Sequence, residues 1–340
     1  MHIVYLVESI DQVGGIERSL TARVNYLAEV YNYKVTIICT LKETGIPTFT
    51  LHKSVDLIFL EKLVNKKSKL GRLFLIYKQS KKIVLDLKPD IVISVKFTLH
   101  NLFFKLISSP VRYISEVREP RVQADQNLND SLKTILLKKI RNYVLKRQEV
   151  MIVLTSADKK AWGFDNIKVV PNPQTITTSS VSDLSKRRVL ALGRLHKVKG
   201  FDKLLDVWKI VNSRHPEWEL KICGKGEEYQ NLSDKIKRLN LGDSVLLTNE
   251  FLPVIPEFLD SSIFVLPSQF EAFGNVLVEA KICGVPAVSF DSPCGPKEII
   301  NDEEDGFIVG YNNLIEMANK INYLIENLEV RIEMGKKAKI

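Results

Sequence analysis

The chain is expected to be α/β, with two doubly wound, Rossmann-like domains facing each other across a cleft. Three observations predict this. A length of 340 residues is long for one hydrophobic core and fits two. Short apolar runs alternate with amphipathic helical stretches along the whole chain, the pattern of a parallel sheet covered by helices on both faces. A stretch dominated by Pro, Ser and Thr, from Pro171-Asn172-Pro173 through Thr175 to Ser185, breaks the alternation and offers few apolar residues to pack. The expected division is a first domain over 1–170, a linker over 171–187, a second domain over 188–325 and a C-terminal segment over 326–340.

Taken in order, Ile3 to Val7 reads as the first strand, followed by Gly14-Gly15 and a helix from about Ile16. Val35 to Cys39, Leu57 to Leu60 and Ile91 to Val95 are further strands, with amphipathic helices over Leu70 to Leu87 and Leu132 to Leu145. Val111 to Ser115 and Val150 to Leu154 close the first half. The second half repeats the logic: strands at Val189 to Leu192, Leu220 to Cys223, Val245 to Leu247, Ile263 to Leu266 and Ala287 to Phe290. Helices fall over Phe201 to Val211, Glu227 to Leu239, Ile255 to Leu259, from Asn275, and over Leu314 to Glu326. In such sheets ligands bind outside the carboxyl ends of the strands.

Composition narrows the classes. Hydrophobic residues make up 45% and charged residues 26%, ordinary for a globular protein. No run of about 18 apolar residues suggests a membrane span, and the N-terminus enters a strand without a basic leader. A cytoplasmic protein is expected. Cys39, Cys223, Cys283 and Cys294 are scattered, form no C-x-x-C pair and have no histidine cluster beside them, so neither disulfides nor a metal site are expected. Residues 1–150 hold 25 Lys+Arg and 14 Asp+Glu, a net of +11; the whole chain is +9, so the remainder carries −2. The basic stretches Lys62 to Lys82 and Lys133 to Arg147 read either as helices attracted to an anionic membrane or as solvated outer faces of core-packed helices. No aromatic ladder accompanies the charge, so nucleic acid is not an expected partner.

The most informative stretch runs from Phe264 to Ala280. Glu271 follows a buried-strand pattern, and Glu279 lies in the helix pattern that comes next. Between them Phe273-Gly274-Asn275-Val276 turns into a helix N-terminus, whose backbone N–H groups suit an anion. Ionised carboxylates accept strong hydrogen bonds, which suits sugar hydroxyls. A nucleotide diphosphate sugar offers both kinds of group. Upstream, Gly193-Arg194-Leu195-His196-Lys197-Val198-Lys199-Gly200 links a strand to a helix. Arg194 and Lys199 there could grip a diphosphate, and fixed cations stabilise the charge that a diphosphate gains on leaving. Gly14 and Gly15 before the first helix, and Gly224-Lys225-Gly226 after a later strand, would let backbone approach a ligand; each is also what a plain turn would contain.

The pattern continues from Lys281 through Cys283-Gly284-Val285-Pro286 to Ser289, then Gly295-Pro296-Lys297-Glu298 and Asp305-Gly306-Phe307. Together with Glu271, Glu279 and the Gly-Arg…Lys-Gly run, it resembles the donor-site signature of the retaining glycosyltransferases of family 4, which have the GT-B fold. The resemblance is strong from about Val189 to Val309 and looser before. It implies metal-independent transfer of a hexosyl or N-acetylhexosaminyl group from a UDP- or GDP-sugar to an acceptor hydroxyl, with no cofactor. Arg194 and Lys199 would hold the diphosphate, Glu271 the donor sugar and Glu279 the ribose hydroxyls. Phe273 to Val276 would supply backbone N–H groups, with Gly14, Gly15 and Gly224 lining the donor. Many family members carry a histidine near the reacting sugar. Here Arg118 matches that position best, and a shift of one or two residues would bring Glu116 or Glu119 there. The acceptor implied is a glycan or a lipid-linked precursor of cell-surface polysaccharide or glycolipid, reached at the inner face of the membrane. Family members also end in a helix that returns to the first domain; the segment 326–340 looks short for this, as in a truncated chain. Two other readings stay open: a non-catalytic nucleotide-sugar-binding partner in a glycan-assembly complex, and a GT-B epimerase.

Overall fold

A computed structural model describes residues 1–11, 14–40, 45–60, 69–95, 111–126 and 132–339. It divides into two compact units, Met1–Thr175 and Ile176–Ile340. Residues 62–68 of the first basic stretch lie outside the described residues.

The first unit is built on a parallel sheet of seven strands: β1 (His2–Val7), β2 (Lys34–Cys39), β3 (Val55–Phe59), β4 (Ile91–Val95), β5 (Arg112–Glu116), β6 (Val150–Val153) and β7 (Ile167–Val169). Their order across the sheet is β3-β2-β1-β4-β5-β6-β7. The central strands are continuous apolar runs because helices cover both faces. One face carries Ile3, Tyr5, Val7 and Ile37 under Leu20 and Val24 of α1 (Gly15–Glu29). The other carries Val4, Leu6 and Val92 under Ile76 and Val84 of α2 (Lys69–Leu87). Two further helices, α3 (Arg121–Gln126) and α4 (Leu132–Lys146), join β5 to β6. The short α5 (Ser156–Trp162) joins β6 to β7; the Thr155 hydroxyl accepts from Asp158 N at 3.2 Å to start it, and left-handed Gly163 ends it.

The second unit contains β8 (Arg188–Leu192), α6 (Phe201–Arg214), β9 (Glu219–Cys223), α7 (Tyr229–Arg238), β10 (Val245–Leu247), α8 (Val254–Leu259), β11 (Ile263–Leu266), α9 (Asn275–Ile282), β12 (Ala287–Phe290), β13 (Gly306–Val309), α10 (Leu314–Glu326) and α11 (Leu328–Ala338). All six strands are parallel, in the order β10-β9-β8-β11-β12-β13. Strand order therefore reverses between β8 and β11, and this switch point is where an open α/β sheet leaves a crevice at its carboxyl edge. The helix α6 buries Leu204, Leu205, Trp208 and Val211 against the sheet, and the Trp208 indole donates to Ser244 Oγ at 3.2 Å.

The unit boundary falls between Thr175 and Ile176, inside the expected linker 171–187, because residues on its far side pack into the second unit. Leu184 is buried there, and its carbonyl accepts from Arg331. Within the expected C-terminal segment 326–340, Leu328–Ala338 form α11, which belongs to the second unit. The helix is held by buried Arg331, whose guanidinium also donates to the Leu324 carbonyl and lies 5.3 Å from the Trp218 ring.

Candidate active site

The loops at the carboxyl ends of β8, β9, β11 and β12 meet around the switch point of the second sheet. After β8 the chain passes through Arg194, a buried Leu195 and a single 3₁₀ turn, Lys197–Lys199, before Gly200 opens α6. The turn is started by His196, whose Nδ1 accepts from Val198 N at 3.2 Å. Gly200 is required twice over. Its φ of +67° is left-handed, and a Cβ would stand 2.1 Å from the Pro267 carbonyl oxygen, so no other residue fits without moving backbone. The Gln269 amide donates to Val198 O at 2.8 Å, which ties the β11 loop to the β8 loop.

This junction brings the two main candidate residues together. Lys199 Nζ donates to Glu271 Oε2 at 2.7 Å, between side chains that are 19% and 14% exposed. The Ser268 hydroxyl donates to the same oxygen at 3.3 Å. An ammonium has three donors, and one of them is used here. Arg194 is exposed, and no described residue pairs with its guanidinium. The backbone of Glu271 is fixed as well: it bridges Cys294, and its carbonyl accepts from Gly295 N at 3.1 Å.

Gly274, in the left-handed region at φ +99°, is the N-cap of α9, with no side chain capping the helix. Its α-carbon lies against Glu271, close enough that a Cβ would be 3.4 Å from Glu271 Cγ. Phe273, Asn275 and Val276 complete the entry turn, whose leading N–H groups have no acceptor within a helix. Glu271 and a helix N-terminus are thereby adjacent. Glu279 sits one turn further along α9 and is 2% exposed, between buried Leu277 and Ala280. Gly224 is needed where two loops meet. A Cβ there would be 1.8 Å from the Gly193 carbonyl oxygen, so the glycine lets the β9 loop lie against the β8 loop. Lys225 O accepts from Leu195 N at 3.0 Å across the same contact.

In the first unit Gly14 is the extended N-cap of α1 and Gly15 its first residue. Arg118 follows β5 and is buried in an ion-pair network. Its Nε and Nη2 donate to Glu116 Oε2 at 3.1 and 2.7 Å, and Nη1 donates to Asn172 Oδ1. The other oxygen of Glu116 accepts from Arg23. Tyr5 beneath them has its phenol pKa pushed up, first by burial and then by the Glu116 charge. Of the three residues weighed for this strand end, Glu116 and Arg118 are thus partners.

Several participants were not visible in the sequence. Ser268 is an ordinary serine two residues past a strand, and Arg23 and Asn172 reach Glu116 and Arg118 from distant positions. The buried Lys281–Asp305 pair, 2.8 Å apart, belongs to the motif by spacing but does structural work: Lys281 also donates to Ile299 O at 2.8 Å, and Asp305 accepts from the Asn301 amide at 3.0 Å, closing the loop before β13. Among the described residues no group of three His, Cys, Asp or Glu side chains could hold a metal ion.

Residues 174–340 match the family model "Glycosyl transferases group 1". The chain is 29% identical to an uncharacterized glycosyltransferase of Haemophilus influenzae, covering 99% of this chain and 94% of that one. It is 27% identical to the amylovoran biosynthesis glycosyltransferase AmsD of Erwinia amylovora, covering 97% and 91%. Among solved structures, sucrose-phosphate synthase from Thermosynechococcus elongatus superposes with a TM-score of 0.81 at 16% identity, covering 99% and 93%. Anabaena HepE in complex with UDP and glucose superposes with a TM-score of 0.77 at 19% identity, covering 100% and 94%. The fold is GT-B.

Proposed function

We propose that this GT-B glycosyltransferase is a retaining enzyme of family 4. It moves a hexose or N-acetylhexosamine from a UDP- or GDP-sugar to a hydroxyl of a glycan or lipid-linked acceptor at the inner face of the membrane. The observation that carries the reading is the Lys199–Glu271 pair at the strand switch point, beside exposed Arg194 and the N-terminus of α9. One carboxylate, two cations and a helix end within one loop junction match a sugar joined to a diphosphate. The UDP and glucose bound to Anabaena HepE, a protein of the same fold, support a nucleotide-sugar donor.

In this mechanism Arg194 and Lys199 neutralise the diphosphate as the bond to the anomeric carbon breaks. Glu271, steadied by Lys199 and Ser268, accepts from donor sugar hydroxyls. Glu279 accepts from the ribose, and backbone N–H groups of Phe273 to Val276 face the sugar and phosphate. Gly224 lets the β9 loop close against the β8 loop that carries Arg194 and Lys199, and Gly14 and Gly15 are the first unit's candidates for close backbone approach to the donor. Arg118, oriented by Glu116 and Asn172, stands at the acceptor end of the reaction. The two cations supply what a metal would, so transfer needs no divalent ion.

The test is a screen of nucleotide sugars with a lipid-linked acceptor. Products are analysed for the sugar transferred and, by anomeric proton couplings, for retained configuration. Transfer is expected to survive exhaustive chelation. Inverted product, or activity lost on chelation and restored by Mg²⁺ or Mn²⁺, would refute the mechanism. Binding without turnover across the panel would favour a non-catalytic partner, and isomerised nucleotide sugar an epimerase.

A further inference from the structure

Three of the chain's ten tyrosines fall within the eight residues 26–33, where α1 ends and the chain turns into β2. Their rings touch in series. Tyr33 packs against the core on the α1 side of the sheet. Tyr31 stacks on Tyr33, with centroids 5.4 Å apart and ring planes at 28°. Tyr26 meets Tyr31 edge to face at 5.7 Å. Tyr26 is nevertheless 54% exposed and Tyr31 53%. Exposed apolar residues scattered singly are ordinary on a surface, whereas a touching group of them marks a place where something binds.

The backbone holds these rings in place. Tyr26 O accepts from Val30 N at 2.9 Å as α1 ends. Asn32 then takes the left-handed conformation at φ +53°, which asparagine tolerates better than most residues. Beyond it Tyr33 N donates to Leu27 O at 3.1 Å and Lys34 N to Met1 O at 3.0 Å. Rings fixed in advance lose little freedom when a ligand stacks on them. The place is also separate from the candidate site residues of this unit. Gly14, Glu116 and Arg118 lie at the carboxyl edge of the first sheet, and α1 runs from that edge to the amino edge. At about 1.5 Å per residue its 15 residues span roughly 22 Å.

Size and charge select the occupant. A covered tyrosine buries about 150–250 Å², so two half-exposed rings offer roughly that much between them. A stable protein interface needs about 800 Å² from each partner, which is too much for this patch. Residues 1–175 hold 28 Lys+Arg against 16 Asp+Glu, yet residues 25–34 hold one charge of each sign, Glu29 and Lys34. The stretch therefore has no surplus cation for an anionic polymer. A neutral chain with apolar faces and hydroxyl edges fits it. The C–H face of a sugar ring can lie on a tyrosine, and its hydroxyls can meet Glu29, Asn32 and Lys34, all of them exposed.

We propose that Tyr26, Tyr31 and Tyr33 form a platform that binds a neutral glycan chain, away from the reacting groups. Its purpose rests on the glycosyltransferase reading above: a long acceptor gripped at a second point stays near the enzyme between transfers. The binding itself is independent of donor and chemistry.

The experiment is native electrophoresis of the full chain through gels containing dextran, galactomannan or hydroxyethyl cellulose, with alginate as the anionic comparison. At least one neutral polymer should retard the parent. Tyr26→Ala and Tyr31→Ala should each weaken that binding at least about fivefold, the effect of truncating a central aromatic contact. Tyr31→Phe should bind like the parent, because it keeps the ring. Both positions are exposed, and unchanged thermal unfolding in each variant checks the fold; Tyr31→Gln is a second variant that removes the ring and keeps a polar side chain. Transfer to a monosaccharide acceptor should stay at the parent level in all of them. No retardation of the parent by any neutral polymer, retardation by alginate alone, or parent-like binding by both alanine variants would overturn the proposal. So would a parent dimer that Tyr31→Ala dissociates, since the rings would then belong to a contact with a second copy. A parent that is retarded but transfers no sugar would count against the function and leave the platform standing.

Discussion

Lys199→Met keeps the side-chain stem and deletes the ammonium, so it isolates what one charge does at the loop junction. In the ligand-free chain it removes the 2.7 Å bond to Glu271, leaving that carboxylate with Ser268 Oγ at 3.3 Å. A hydrogen bond to a charged group contributes about 1.5–3 kcal/mol. The pair is partly exposed, at 19% and 14%, so solvent screening holds the stability loss near the lower end, about 1.5–2 kcal/mol. For a domain of this size that corresponds to a fall in Tm of roughly 3–8 °C. With a nucleoside diphosphate bound, the same ammonium also faces phosphate, and its loss should weaken binding about 10- to 150-fold. The assay is calorimetric titration of UDP and GDP into the parent, Lys199→Met, Arg194→Ala and Glu271→Gln, with thermal unfolding of each. Glu271→Gln should leave the nucleotide affinity within a few-fold of the parent while transfer falls, because it removes the sugar ligand and leaves Lys199 its charge. Parent-like affinity and turnover in both Lys199→Met and Arg194→Ala would refute the diphosphate assignment.

Other consequences can be checked separately. Gly200→Ala should destabilise by more than about 2 kcal/mol in urea unfolding, since its Cβ would stand 2.1 Å from Pro267 O at a left-handed φ; Gly242→Ala, which meets nothing within 4 Å, should change stability by less than about 0.5 kcal/mol. Lys281→Met should cost about 3–5 kcal/mol by the same measurement, because it strands the buried Asp305 carboxylate. Burial pushes the thiols of Cys39 up to about 12 and of Cys223 and Cys283 up to about 11. At pH 8 these three are protonated, so peptide mapping after iodoacetamide treatment should find Cys294 modified first; comparable labelling of Cys283 in the folded protein would contradict this.

The sheets were legible in the sequence because their central strands are buried on both faces and read as unbroken apolar runs. β7 escaped because Ile167–Val169 is three residues long and carries an exposed lysine. β13 escaped because it opens on Gly306, in a segment otherwise read as motif. The helix α11 was hidden for a physical reason: its buried residues are Arg331, Met334, Gly335 and Ala338, correctly spaced for a helix but with a charged side chain and a glycine interrupting the apolar stripe. At the site, the residue types and their positions after β8 and β11 were readable. Their pairing was not, since it depends on Gly200 and Gln269 fastening two loops that are distant in sequence. The engagement of Arg118 by Glu116 and Asn172 was similarly out of reach, because Asn172 lies in a stretch whose composition reads as linker.

The loops at the carboxyl edge of the second sheet are fastened to one another by main chain: Gly200 against Pro267, Gly224 against Gly193, and amide-to-carbonyl bonds from Gln269, Leu195 and Gly295. A wall made this way has no rotamers. Its contour is inherited from strand spacing and cannot be adjusted one side chain at a time, so substitutions at its glycines should register as folding defects in a mutational scan. Under the proposed function, variation that alters which sugar is accepted would then be confined to the few side chains standing on the wall, chiefly Arg194, Glu271, Phe273 and Asn275. A library for changing donor preference would therefore be built at these four positions and would leave the glycines untouched.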